Sequence, residues 1–505
     1  MHRKIVFFSF LLSFFVVNAQ KNDSKKDEDR VKMEHAQIGI MEDAASGYKQ
    51  STHPSAQWFA GAGFGMFIHW SISSIREIDL SWPMMAGTQI GWRPSNNKMD
   101  SAEVRKIIQS GDYFMGHACK KDNSCLTPNE YWEQSKYFQP TKYNPEEWAR
   151  AAKAAGMTYM VFTARHHDGF AMWPSKYGDF STKNYMSGKD LVKPYVEACR
   201  KYGLKVGLYY SGPDWHFNRE FQSFMYYGVS RDYKNVPSLD ANLQARKTVK
   251  TDAEKQAHYY RVAEYIKGQV EELLTNYGKI DMIWFDGGPD IPRGNIAWDK
   301  CISMKRIHEL QPGIVVSPRF FGYGDYKTYE GDAKLPTDIQ KQWAELCVTI
   351  AKSGWGYTKH PLKTVETVLK QLILCRSRNT NYLLNFGPTK EGIFSEKMNQ
   401  KLDSIAAWMK INGQSLVNCR ALNPDETVSV PATSKNNHRY LFLFSDNKVS
   451  EIQMKTTSEI KQVTMLANKK KIIITSKAGI TTIPLTTVQR TALVDVIDVE
   501  LKSSK

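Results

Sequence analysis

Between about residues 58 and 412, short apolar runs alternate with amphipathic stretches, and this alternation is what most limits the folds open to the chain. Strands are expected at Phe64–Trp70, Met157–Thr163, Lys205–Tyr210 and Ile280–Phe285, then at Ile314–Ser317, around Trp355 and at Tyr382–Phe386. Helices are expected at Pro145–Ala155, Asp190–Tyr202 and Ala253–Tyr277, closed by Gly156, Gly203 and Gly278, and later at Thr364–Arg376 and Glu396–Met409. Strand followed by helix, repeated, implies a mainly parallel sheet. Roughly seven or eight such units suit a (β/α)₈ barrel better than an open sheet. The glycines of Gly61-Ala62-Gly63-Phe64-Gly65 precede a strand instead of following one, so they read as a turn and not as a dinucleotide fingerprint.

The flanks read differently. His2, Arg3 and Lys4 precede an uncharged apolar run from Ile5 to Val17, and Ala19 is small. Residues 1–19 therefore read as a secretory signal, cleaved after Ala19, which predicts a secreted or periplasmic protein. Residues 20–45 read as a polar, flexible leader, with the barrel at 46–415. From 416 to 505 helical periodicity disappears. Val, Ile and Thr alternate with polar residues at Arg439–Phe444, Lys471–Thr475 and Thr491–Leu501, which predicts a C-terminal antiparallel β-sandwich. Past the signal, no apolar run is long enough to span a membrane.

In a barrel, catalytic groups stand at the C-terminal ends of the strands. Here those ends carry His69-Trp70, Arg165-His166-His167-Asp168, Tyr209-Tyr210-Ser211 with Asp214-Trp215-His216 beyond, and Trp284-Phe285-Asp286-Gly287, then Arg319. Together they predict a polar pocket with aromatic walls, a chemistry suited to a sugar. Asp286 closes the apolar run Met282–Phe285, so its carboxylate should point into the barrel mouth. His166 and His167 are neighbours and would face opposite ways in extended chain, so no metal site is expected of them. There is no CxxC pair and no HExxH. The seven cysteines are an odd number; Cys119 and Cys125 could bridge across a short loop, while the others sit in apolar patterns as buried thiols. Lys+Arg exceed Asp+Glu by 68 to 52, a net charge of +16. The excess admits an anionic partner, but its longest run is only Lys469–Lys471, and no basic helix or RNA-binding motif accompanies it, which argues against nucleic acid.

FGMFIHW (64–70), TARHHDGFAMWPSKY (163–177), GLYYSGPDW (207–215), IDMIWFDG (280–287), SGWGY (353–357) and LLNFGPTKEG (383–392) together resemble the α-L-fucosidases of glycoside hydrolase family 29, over about residues 55–412. The resemblance implies retaining hydrolysis of a terminal α-L-fucoside without a cofactor, on a fucosylated oligosaccharide or polysaccharide. By motif match Asp286 is the nucleophile, and His69, His166, His167, Tyr209, Trp284 and Arg319 contact the sugar. Two residues compete for the acid/base role. Glu345 resembles a W-E-x-C stretch and is preferred; Glu330 lies in a D-x-x-T-x-E stretch where Tyr329 replaces a proline. Ser71 stands where the family usually has glycine. A long segment, Ser81–Glu130, with Trp82, Trp92 and Arg93, follows the first strand and is expected over the pocket mouth. Three other readings stay open: an L-galactoside or sulfated algal glycan as substrate, a non-catalytic glycan-binding protein, and a metal-dependent hydrolase.

Overall fold

The computed structural model describes residues 31–32, 34–40, 49–88, 126–233, 236–289, 301–319, 323–446, 448–486 and 489–502. The signal segment, Trp92, Arg93 and the Cys119/Cys125 pair lie outside them. Eight strands form one sheet: β1 Phe64–Ile68, β2 Tyr159–Arg165, β3 Lys205–Ser211, β4 Met282–Asp286, β5 Val315–Val316, β6 Lys327–Glu330, β7 Ala344–Thr349 and β8 Thr380–Phe386. Their order is β5-β4-β3-β2-β1-β8-β7-β6, and every neighbouring pair is parallel. This is the expected (β/α)₈-type barrel. It is hydrogen-bonded all round except between β5 and β6. There Asp325 stands in for the missing ladder: its N–H donates to Val316 O at 2.9 Å, and its Oδ2 accepts from Val316 N at 2.8 Å.

Side-chain alternation sorts the sheet into two apolar layers. Phe67, Tyr159, Val161, Tyr209, Met282, Trp284, Cys347 and Leu383 fill the barrel interior. Phe64, Met66, Phe162, Leu208 and Leu384 face outward into the larger cluster shared with the helices. Those helices begin where the sequence supplies caps. Thr251 and Glu254 form a reciprocal capping box ahead of Asp252–Thr275, and Asn144 with Pro145 opens Pro145–Ala154.

The structure corrects two expectations about strands. Trp355 lies in a loop, not a strand: Gly354 has φ +86°, and the Trp355 and Gly356 amides both donate to Asp79 Oδ1. Lys471–Thr475 is not a continuous strand either: Lys471 makes an isolated bridge to Thr464, and the strand itself is Thr475–Lys477. The sixth and seventh barrel positions are filled by β6 and β7, which precede that loop, and the eighth by β8.

The C-terminal region holds two four-stranded antiparallel sheets, as expected of a sandwich. Numbering its strands β9 (Thr427–Val428), β10 (Ala432–Lys435), β11 (His438–Leu443), β12 (Glu451–Lys455), β13 (Ile460–Met465), β14 (Thr475–Lys477), β15 (Ile480–Pro484) and β16 (Asp495–Leu501), the orders are β10-β11-β16-β13 and β14-β15-β12-β9. Leu441, Leu443, Ile452, Met454, Ile483 and Val499 pack between them. Tyr440, Phe442 and Val496 turn the other way and join the barrel's outer core, where Trp408 Nε1 donates to Val494 O at 2.7 Å. No helix among the described residues is long and apolar enough to cross a membrane. Cys199, Cys301, Cys347, Cys375 and Cys419 are buried free thiols.

Candidate active site

Parallel strands carry their last inward-facing residues to one rim, and there the side chains meet. β1 delivers His69, the turn after β2 His166 and His167, β3 Tyr209, and β4 Trp284 and Asp286. Arg319 follows β5, Glu330 ends β6, and Trp355 comes from the loop after β7. They line a cleft of roughly 390 Å³, together with Phe67, Trp82 and three residues from the N-terminal stretch: Glu34, His35 and Ile38.

Asp286 sits at the centre. Its Oδ2 accepts from Tyr209 Oη at 2.7 Å, and its Oδ1 from Arg319 Nη1 at 2.6 Å. Burial works against its charge, but the Arg319 guanidinium beside it outweighs burial and holds the carboxyl below its usual range. It is an anion at any working pH. Tyr209 is pushed well above the usual phenol range by burial and by Asp286, so it stays a neutral donor.

Three imidazoles wall the cleft, and burial lowers all of them, His69 and His167 to about 4 and His166 well below its usual value. They are neutral, and their second partners fix two tautomers. Asn385 Nδ2 donates to Trp355 O, so its Oδ1 faces His69 Nδ1 at 2.7 Å as an acceptor. Ser211 Oγ donates to Pro213 O at 2.7 Å, so it accepts from His167 Nδ1 at 2.5 Å. We therefore assign the proton to Nδ1 in both rings. Their Nε2 lone pairs are left to accept hydrogen bonds from hydroxyls.

His166 and His167 do share one site, contrary to the expectation from extended chain. They lie in the turn just past β2, with ring centroids 4.1 Å apart. With Asp286 they offer ligand atoms within 4.8 Å of one another, among the described residues the one such grouping that could hold a metal ion. Both Asp286 oxygens already hold donors, and the Arg319 cation beside them opposes a second positive charge.

The two acid/base candidates occupy different layers. Glu330 lines the cleft, where its Oε2 accepts from Arg319 Nη2 and lies 3.1 Å from His35 Nε2. Arg319 thus holds Asp286 on one terminal nitrogen and Glu330 on the other. Glu330 is half-buried, which disfavours its charge, but that cation, with His35, drives its carboxyl far below the usual range. Glu345 is two residues nearer the bottom of the barrel, since Glu345 pairs with Thr328 and Cys347 with Glu330. Its carboxylate is fully buried under the cleft floor, accepting from Tyr159 Oη at 2.7 Å and Trp284 Nε1 at 3.0 Å. Burial raises it to about 7. Glu345 is absent from the cleft lining, so the structure turns the preference between the two candidates toward Glu330.

Sequence reasoning missed His35, which it placed in the leader, and it missed Ser211 and Asn385 as the groups that set the histidine tautomers. Val31 and Ile38, seven apart, were the signal of a packed turn. Of the Ser81–Glu130 segment, Trp82 does reach the cleft, and its ring packs edge-on to His167 at 5.6 Å.

The alpha-L-fucosidase family model matches residues 36–414. The human tissue alpha-L-fucosidase is 27% identical over 434 residues, spanning 82% of this chain and 81% of its own. An alpha-L-fucosidase of Branchiostoma floridae is 25% identical over 449 residues, spanning 85% and 88%. Among solved structures, alpha-L-fucosidase isoenzyme 1 from Paenibacillus thiaminolyticus superposes with a TM-score of 0.67 at 28% identity, over 89% of this chain and 99% of that one. An alpha-L-fucosidase from Bacteroides thetaiotaomicron shares the fold, with a TM-score of 0.66 at 22% identity over 92% and 98%. With a family model spanning most of its length, and a buried Asp–Tyr–Arg centre at the rim of a (β/α)₈ barrel, this chain belongs to the alpha-L-fucosidase family of glycoside hydrolases.

Proposed function

We propose that the protein is a secreted, exo-acting, retaining α-L-fucosidase with Asp286 as nucleophile and Glu330 as acid/base. The observation that carries this reading is the bridge through Arg319. One guanidinium holds both carboxylates, which favours the about 5–5.5 Å spacing of retaining glycosidases over the wider gap of inverting ones. An Asp286 oxygen forms a bond to the anomeric carbon as the bond to the leaving oxygen breaks, and that oxygen takes the proton of Glu330. Water then gives its proton to Glu330 and bonds to the same carbon, and Asp286 departs with the electron pair it donated. The neutral His69 and His167 accept from sugar hydroxyls, and the Phe67 and Trp284 rings, 5.2 Å apart, offer an apolar wall to the C6 methyl.

Glu330 stands in the right place but in the wrong protonation state in the free site, whereas Glu345 has the right protonation state in the wrong place. Position decides first, because apo hydrogen bonds rearrange on binding. A sugar hydroxyl that takes over Arg319 Nη2 releases Glu330 to bind a proton.

The test is hydrolysis of p-nitrophenyl α-L-fucoside by the mature chain. Asp286→Ala should lose on the order of 10⁴-fold in kcat. Glu330→Ala should be restored in part by azide, which needs no general base, and Glu345→Ala should not. Azide rescue of the Glu345 variant alone would return the acid/base role to that residue. A parent chain inactive on the fucoside but active on an α-L-galactoside would change the sugar.

A further inference from the structure

Residues 34–40 are remote from Glu330 in sequence and locked onto the barrel's rim in space. Val31, Glu34 and Ile38 are buried. Ile38 O accepts from Gly288 N at 2.8 Å, two residues past Asp286, and Gln37 Oε1 accepts from Tyr227 N at 2.5 Å. At Gly287, between them, a side chain would run into Ile38: an added Cβ would lie 2.5 Å from Ile38 O. The turn at 34–37 therefore has a fixed seat, and the seat points His35 at Glu330.

His35 Nε2 lies 3.1 Å from Glu330 Oε2 and 3.1 Å from Arg319 Nη2. An arginine nitrogen only donates. Arg319 Nη2 commits one of its two hydrogens to Glu330, and we assign the proton of His35 to Nε2, which makes it a second donor to the same carboxylate oxygen. This assignment matters because the acid/base must present its proton to the leaving oxygen in a fixed direction. Whatever leaves the anomeric carbon departs past the acid/base, and of the N-terminal lining residues His35 stands directly against Glu330.

We infer that His35 is a positioning residue for Glu330, and that residues 34–38 form the wall of the leaving-group side of the cleft. This rests on the reading above that Glu330 is the acid/base. A residue that acts through the general acid matters in proportion to how much the leaving group needs protonation. Fluoride needs little; a sugar alkoxide needs a full proton.

The experiment uses the full mature chain and its His35→Ala, His35→Gln and Glu330→Gln variants. Each is assayed on α-L-fucosyl fluoride and on an α-L-fucosyl disaccharide. His35→Ala should lose about 10- to 100-fold in kcat on the disaccharide and less than about 3-fold on the fluoride, a fraction of the 10²–10⁴ that general acid catalysis supplies. His35→Gln, whose amide can still donate to Glu330, should recover most of that loss, which a merely structural role would not allow. Equal losses on the two substrates, or no loss on the disaccharide, overturn the inference while the acid/base reading stands. Glu330→Gln without leaving-group dependence, or a parent chain inactive on both substrates, overturns that reading and takes the inference with it.

Discussion

Glu345 illustrates how burial without a cation behaves. Its hydrogen-bond donors, Tyr159 and Trp284, are neutral. Its folded pKa of about 7 lies above the usual 4.5, so between these values the native state holds a proton that the unfolded chain has released. Stability is therefore full below about pH 4.5 and falls as pH rises toward 7, by about 3 kcal/mol in all. Glu345→Gln keeps the shape and removes the titration. Its melting temperature should exceed the parent's at pH 8 and match it near pH 4.5, as followed by circular dichroism. A parallel shift at both pH values would show that the carboxyl is not titrating in that window. The same residue shows what the sequence could and could not convey. Its motif was readable, but its depth was not, because depth depends on the register of β7 against β6, and β6 (Lys-Thr-Tyr-Glu) has no apolar run to announce a strand. Asp286 was legible because it ends a continuous apolar strand whose direction is set by parallel neighbours.

At the scale of elements, β1 and β2 show how closely the barrel is packed. Gly65 pairs with Tyr159, and an added Cβ would lie 2.4 Å from two atoms of the Tyr159 ring, which cannot yield without moving the hydroxyl that holds Glu345. Gly65→Ala should thus cost about 1–3 kcal/mol by overpacking. Chemical denaturation should show an unchanged m-value and a lowered midpoint, and unaltered stability would mean that the ring has room to shift. Helices were the more legible elements: Gly156, Gly203 and Gly278 adopt positive φ of +78°, +64° and +70°, the backbone that ends a helix and suits glycine best. The strand expected at Trp355 failed because an aromatic between glycines is equally compatible with a loop tied down by an aspartate.

For the whole molecule, the net charge of +16 bears on which glycans are drawn toward it. Arg319 is consumed by its two carboxylates, so any attraction for an anionic glycan must come from the wider surface and be screened by salt. On the alternative reading of a sulfated fucan as substrate, that attraction acts on the glycan. The ratio of kcat/KM on a sulfated oligosaccharide to that on its neutral counterpart should then fall several-fold between low and physiological salt. A ratio indifferent to salt would leave the charge as ordinary solvated lysine. The division into barrel and β-rich tail was visible in the change of periodicity, but the contact between them was not. It is made by Tyr440, Phe442 and Val496, which face away from the sandwich's own core, and alternation alone does not say which face of a sheet will find a partner.

The gap between β5 and β6 divides the rim into two provinces. Asp286 belongs to the continuous ladder, its position dictated by strands on either side. Arg319 and Glu330 lie on the two sides of the one junction where no ladder dictates spacing and a single aspartate does the joining. A lineage could lengthen, shorten or reseat that junction, and so hand the proton donor's office from one residue to another, without disturbing the half that attacks the sugar. Heredity would then be strict on one bank of the cleft and permissive on the other.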